Sequence, residues 1–134
     1  MTAAEVRQLS RGQRQALYDS LRADKLPVGT YDGRTWPVSV WPIWRGKVFS
    51  DGKHGHDGGV VLGTRWYAVP TGRVVNRVLF FRFVRGRAVW LKGEIRINYP
   101  LGLRDYLKPV SDTLWLGYLK LGPVRIWFTL EQVV

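Results

Sequence analysis

Val124-Arg-Ile-Trp-Phe-Thr-Leu130 alternates. Val124, Ile126, Phe128 and Leu130 fall on one face of an extended chain, and Arg125, Trp127 and Thr129 fall on the other. That period of two is the mark of a strand with one packed face and one mixed face. Glu94-Ile-Arg-Ile-Asn-Tyr99 repeats it, setting Ile95, Ile97 and Tyr99 against Glu94, Arg96 and Asn98. Such strands suit an antiparallel meander whose outer face meets water.

Working outward, the text from Gly29 onward is dense in tryptophan, valine, isoleucine, tyrosine and phenylalanine, and is punctuated by Gly, Pro, Asn and Asp. It predicts strands over Gly29–Thr35, Trp44–Phe49, Gly59–Gly63, Arg65–Val69, Arg73–Val84, Ala88–Lys92, Glu94–Tyr99, Thr113–Leu121 and Val124–Glu131. Tight turns are expected at Arg85-Gly86 and at Leu121-Gly122-Pro123. Leu101–Val110, lying beyond one proline and holding another, reads as one or two helical turns. The Gly-rich stretch from Ser50 to Gly59 reads as a flexible loop. Eight to ten short strands at this spacing make a mainly β protein, either a sandwich or a closed barrel.

Only the first 25 residues look helical. Val6, Leu9, Gln13, Leu17 and Leu21 recur at near-helical spacing, and Ser10 is placed to cap a helix. Gly12 weakens its first turn, leaving two short helices or one irregular helix open, and Pro27 ends it. Residues 1–28 are therefore expected to form a helical segment that lids or plugs one end of a β domain over residues 29–134.

The chain has 134 residues, the size of one domain, and no cysteine, so disulfide frameworks and cysteine-ligated zinc are excluded. No apolar run is long enough for a transmembrane helix, and the N-terminus has no signal-peptide h-region; a cytoplasmic protein is the expectation. The net charge is +11. Residues 58–98 carry eight basic side chains against Glu94 alone, which concentrates positive potential in one stretch. On one reading it is a solvated outer wall. Its functional reading is an acidic partner such as nucleic acid, anionic lipid or protein, at a basic face around residues 65–96. Arginines interleaved with aromatics fit stacking-plus-phosphate contacts, but no known nucleic-acid-binding signature is present.

The ordered set Gly29-Thr-Tyr-Asp-Gly33, Trp44-Arg-Gly-Lys-Val-Phe49, Val75-Asn-Arg77, Ile95-Arg-Ile-Asn-Tyr99, Arg104-Asp105, Leu114-Trp-Leu-Gly-Tyr118 and Arg125-Ile-Trp-Phe-Thr-Leu130 resembles the small bacterial lipocalin-like barrel families of unknown function that open on G-x-W-x-G. Tyr31 stands at the tryptophan position. The resemblance implies an antiparallel lipocalin-like (calycin-like) barrel and no established reaction. It also implies a structural closure of Gly29, Tyr31 and Gly33, with Tyr31 stacked beneath Arg125 of the last strand.

Catalytic and metal signatures are thin. His54 and His56 lie in the Gly-rich loop, where fixed ligands are not expected. Ser39, His54 and Asp57 have no nucleophile motif around them, and nothing calls for a cofactor. Trp36-Pro-Val-Ser-Val-Trp-Pro-Ile-Trp44 reads as an edge or rim, since its prolines exclude a central strand. The function expected is binding of a small hydrophobic or amphipathic, anionic ligand in a barrel cavity. Arg77 shares a strand face with Val75, Leu79 and Phe81, so it is the candidate anion anchor. Phe81, Trp90, Tyr99 and Tyr118 are the candidate wall residues. The alternative from another class is a basic subunit docking on nucleic acid or a larger assembly.

Overall fold

The computed structural model describes residues 1–36, 44–50, 60–62, 65–67, 71–78 and 84–133. The chain begins with two helices, α1 (Ala3–Arg7) and α2 (Arg11–Ser20), each started by a capping box, Thr2 with Glu5 and Ser10 with Gln13. In each box the hydroxyl accepts from the N3 amide while the N3 side chain accepts from the cap amide, which satisfies two otherwise orphaned donors. The break between the helices falls at the second cap.

Among the described residues ten strands follow: β1 (Gly29–Trp36), β2 (Trp44–Phe49), β3 (Val60–Leu62), β4 (Arg65–Tyr67), β5 (Thr71–Val78), β6 (Val84–Leu91), β7 (Glu94–Asn98), β8 (Arg104–Pro109), β9 (Leu114–Leu121) and β10 (Val124–Gln132). Eight of them close into an antiparallel barrel in the order β1-β10-β9-β8-β7-β6-β5-β2, and β3 and β4 pair as a separate hairpin. First and last strands meet with Tyr31 opposite Gln132 and Trp36 opposite Trp127. Closure leaves the barrel without an exposed edge.

Two expectations are corrected. Leu101–Val110 holds only the end of one helical turn. A single 3₁₀ turn takes Pro100–Gly102, and Arg104–Pro109 is β8, because Asp105 and Leu107 alternate inward along it. Nor is Arg73–Val84 one strand ended by a turn at Arg85-Gly86. Val84 already belongs to β6 and lies opposite Asn76 of β5, and Gly86 lies within β6 opposite Val74, where a Cβ would collide with the Tyr99 ring. Residues 79–83, the Gly-rich loop with His54 and His56, and most of the Trp36–Trp44 rim lie outside the described residues.

The barrel has two cores, one on each side of its wall. The inner one is built from Tyr31, Phe49, Val74, Ile95, Ile97, Leu107, Trp115, Phe128 and Leu130, with Ala23 and Leu26 added from the segment that joins α2 to β1. The outer one sets Ala3, Val6, Leu17, Tyr18 and Leu21 of the helical segment against Trp36, Leu114, Leu116, Tyr118 and Trp127. Leu114 to Tyr118 of β9 and Trp127 to Leu130 of β10 are consequently buried on both faces. This explains their near-continuous apolar runs, which alternation alone does not require. The helices therefore lie on the wall over β9 and β10, and do not plug the end. The plug is the segment after them: the Ala23 amide donates to the Gly93 carbonyl at 2.7 Å, and Trp90 Nε1 donates to the Ala23 carbonyl at 2.7 Å.

Tyr18 fastens α2 to this wall. Its ring meets Tyr118 and Trp127 edge-on at 5.3 and 5.7 Å, and its hydroxyl donates to Glu94 Oε2 at 2.6 Å. Burial, then the bond to Glu94, push the Tyr18 phenol far above its ordinary range. The folded chain thus keeps a proton that the unfolded chain releases above about pH 10, so this stabilisation is complete below that pH and declines as pH rises. Tyr18→Phe is expected to lose about 1.5–3 kcal/mol in urea unfolding at neutral pH. It should also flatten the decline in stability between neutral and strongly alkaline pH relative to the parent.

Candidate functional site

A single extra residue in β2 creates the site. β2 pairs with β5 as Trp44 opposite Val78 and Lys47 opposite Asn76, a shift that places three steps on one strand against two on the other. This β-bulge breaks the strict alternation, so Trp44 and Lys47 both turn into the barrel although they are three residues apart. Gly46 makes the bulge feasible. Its φ is +125°, and a Cβ there would stand 2.0 Å from the Tyr31 carbonyl oxygen. Gly33 leaves the room that the Trp44 ring fills, for a Cβ at Gly33 would lie 2.4 Å from that ring.

Lys47 is brought inside with its side chain only 3% exposed, and Nζ lies 2.6 Å from Asp105 Oδ2, itself on a side chain 4% exposed. The ammonium also donates to Asn76 Oδ1 at 2.6 Å and to Tyr99 Oη at 2.5 Å. Its three donors thus have three acceptors. Tyr99 passes its own proton toward the same carboxylate, Oη to Oδ2 at 2.8 Å, and Trp44 Nε1 donates to Asn76 Oδ1 at 3.0 Å. The rings of Tyr99, Trp44 and Phe128 surround Nζ at 5.1, 5.4 and 5.5 Å, a favourable cation–π setting.

Electrostatics follow from burial. Desolvation lowers the Lys47 pKa, with the Asp105 charge and hydrogen bond opposing it. Desolvation also drives the Tyr99 phenol well up, helped by the charge of Asp105. The cluster therefore holds an amine whose proton is easier to remove than usual beside a phenol whose proton is harder to remove.

The cluster faces a cavity of about 280 Å³ lined by Thr35, Trp44, Lys47, Asn76, Tyr99, Leu103, Asp105, Leu119, Ile126 and Phe128. It lies at the end of β7 remote from the plug, since Ala23 binds beside Glu94 and the cavity begins at Tyr99. Among the described residues most of its wall is hydrocarbon and aromatic ring, and its charged groups are Lys47 and Asp105. Among the described residues no group of three His, Cys, Asp or Glu could hold a metal ion, and no helix is long and apolar enough to cross a membrane.

The chain resembles a protein from Thermomonospora curvata known from its crystal structure. The TM-score is 0.61 at 20% identity, over 98% of this chain and 93% of the other. At that identity the likeness speaks for the barrel fold alone. No family model and no curated protein matches the sequence.

Of the residues singled out from sequence, Tyr99 lines the cavity and Trp90 does not. Trp90 is half-buried at the plugged end, held to Ala23. Tyr118 is corrected to the outer wall, stacked on Tyr106 at 5.1 Å, because Gly117 is the residue that faces Leu107 and Phe128 within. Arg77 is corrected as well. Asn76 is the inward residue of β5, and Arg77 is 35% exposed, with Nη1 2.9 Å from Asp32 Oδ1. It is an ion pair across the outside of β2, without the burial an anion anchor needs. Phe81 lies outside the described residues. The closure expected between Tyr31 and Arg125 is absent: Tyr31 points inward and meets Phe49 edge-on at 5.5 Å. Arg125 covers Tyr118 at 4.6 Å and donates to Gln15 at 2.6 Å, far along β10 from the partner of Tyr31.

Sequence reading missed Lys47 and Asp105 as site residues. The available signal was the glycine at 46, since an isolated Gly in a strand marks a bulge, and a bulge reverses which face the next charge takes. Removing one partner of a buried pair leaves the other charge uncompensated. Lys47→Met is expected to lose about 3–5 kcal/mol in urea unfolding. Lys47→Met combined with Asp105→Leu should lose less than the two single changes added together, with a coupling of at least about 1 kcal/mol.

Proposed function

We infer that this protein binds a small hydrophobic or amphipathic ligand in the barrel cavity, with the ligand's polar head at the Lys47, Tyr99 and Asp105 cluster. The observation that supports it most is the division of the cavity into an apolar wall and one convergent polar point, the usual plan of a small-molecule site. The volume lies near the lower end of such sites, roughly 300–1,000 Å³, which favours a short chain or a single ring. Lys47 and Asp105 cancel each other's charge, so an uncharged carbonyl or hydroxyl head suits the site better than the anionic head expected from sequence. The lipocalin-like resemblance is in keeping with this reading, as is a cytoplasmic setting for a chain without cysteine.

A second reading rests on the outer wall. Arg73 and Arg87 are exposed and directly opposite one another on β5 and β6, and like charges so placed repel unless an anion lies between them. An acidic partner (nucleic acid, anionic lipid or an acidic protein face) would relieve that repulsion.

Octanol serves as a probe of the first reading. In an amide NMR titration it is expected to shift Lys47, Asn76, Tyr99 and Leu119 saturably, with little dependence on salt. Leu119→Trp, which fills the cavity, should weaken binding about tenfold or more, a loss of roughly 1.4 kcal/mol, while Arg77→Leu should bind as the parent does. Nucleic-acid capture at the arginine wall would instead fall steeply with salt.

A further inference from the structure

We propose that Lys47 is a covalent capture residue that holds small apolar aldehydes or ketones as a reversible imine. The inference rests on the cavity-binding reading above and names the ligand's chemical class. A buried lysine is a costly way to bind a purely apolar molecule, because an apolar side chain would line the wall without the desolvation of a charge. What an amine adds, and hydrocarbon cannot, is nucleophilicity toward a carbonyl.

The surroundings of Nζ supply each requirement of that chemistry. Asp105 Oδ2, at 2.6 Å, can take the ammonium proton and leave a neutral amine, and burial pushes Lys47 in that direction. The amine nitrogen then attacks the carbonyl carbon, forming the C–N bond as the carbonyl π pair moves to oxygen. That oxygen takes the proton from Asp105, and the nitrogen returns one to Asp105, which gives a carbinolamine. Its hydroxyl takes the proton held by Asp105 and leaves as water while the nitrogen lone pair forms C=N. The result is a protonated imine facing the Asp105 carboxylate, with a further proton donor, Tyr99 Oη, 2.8 Å from Oδ2. One carbonyl and one amine become one imine and one water, and no oxidant or reductant is consumed. The cationic imine keeps the counter-ion and the three rings that held the ammonium, so capture preserves the charge balance of the cavity.

The other five lysines of the chain provide an internal control. At neutral pH an ordinary lysine is almost wholly protonated, so it forms an imine slowly. The test treats the full-length protein with octanal at pH 7, reduces with cyanoborohydride, and maps the product by mass spectrometry. The expected product carries an octyl group on Lys47 at about tenfold or more the level on any other lysine side chain. Prior addition of octanol should suppress it, and Lys47→Arg should abolish it. The octanol competition uses the unaltered protein, so it stands even where the arginine variant folds poorly. Labelling spread over surface lysines, or none at Lys47 while octanol still shifts the cavity amides, overturns covalent capture and leaves the binding reading intact. Failure of octanol and octanal alike to reach the cavity overturns both.

Discussion

Taking a lysine ammonium out of water costs several kcal/mol even after the protein relaxes around it. Here the cost is offset by Asp105, by acceptors from Asn76 and Tyr99, and by three aromatic faces. Those partners come from β2, β5, β8, β10 and the residue that follows β7. The ion pair can form only when the barrel is closed and the strands are in this register. It therefore ties chain segments that are far apart in sequence to one point, and that point is also the polar end of the cavity. Stability and candidate function share the same atoms.

The rest of the architecture frees that end of the barrel. The helical segment packs against the outer wall, where β9 and β10 present a second apolar face. The inward-facing residues of the connecting segment, Ala23 and Leu26, close the opposite end. Had the helices plugged the barrel instead, Leu114, Leu116, Tyr118 and Trp127 would have been left facing water. Burying them gives the small domain a second core to add to that of the barrel interior, and small domains gain most from such additions because so much of their surface is otherwise exposed.

Much of the barrel is legible in the sequence. Alternation places β7 and β10, Ser10 marks the start of α2, and Gly122-Pro123 marks the turn between β9 and β10. The first barrel strand also begins at Gly29, where the sequence predicts it. The errors have a common physical origin in deciding which face of a strand is inside. Both faces of residues 73–78 mix apolar and polar groups, so Arg77 and Asn76 are equal candidates until the register with β2 is known. That register depends on a bulge, and local patterning signals it only through Gly46. Tyr118 and Trp127 are large and apolar enough for an interior, and their place outside follows from a helix that docks there from more than 90 residues earlier in the chain. Asp105 was obscured by neighbouring prolines that suggested a helical turn in place of a strand.

We propose that the Lys47–Asp105 pair forms the polar end of a cavity that receives a small apolar molecule. A high-resolution crystal structure of the protein grown with octanol tests it most directly. Density is expected for one octanol between Trp44, Leu119 and Phe128, with its hydroxyl within hydrogen-bond distance of the Lys47, Tyr99 or Asp105 head groups and the ion pair preserved. A cavity closed by inward-moving side chains, or Lys47 turned out to solvent with Asp105 left behind, would contradict it.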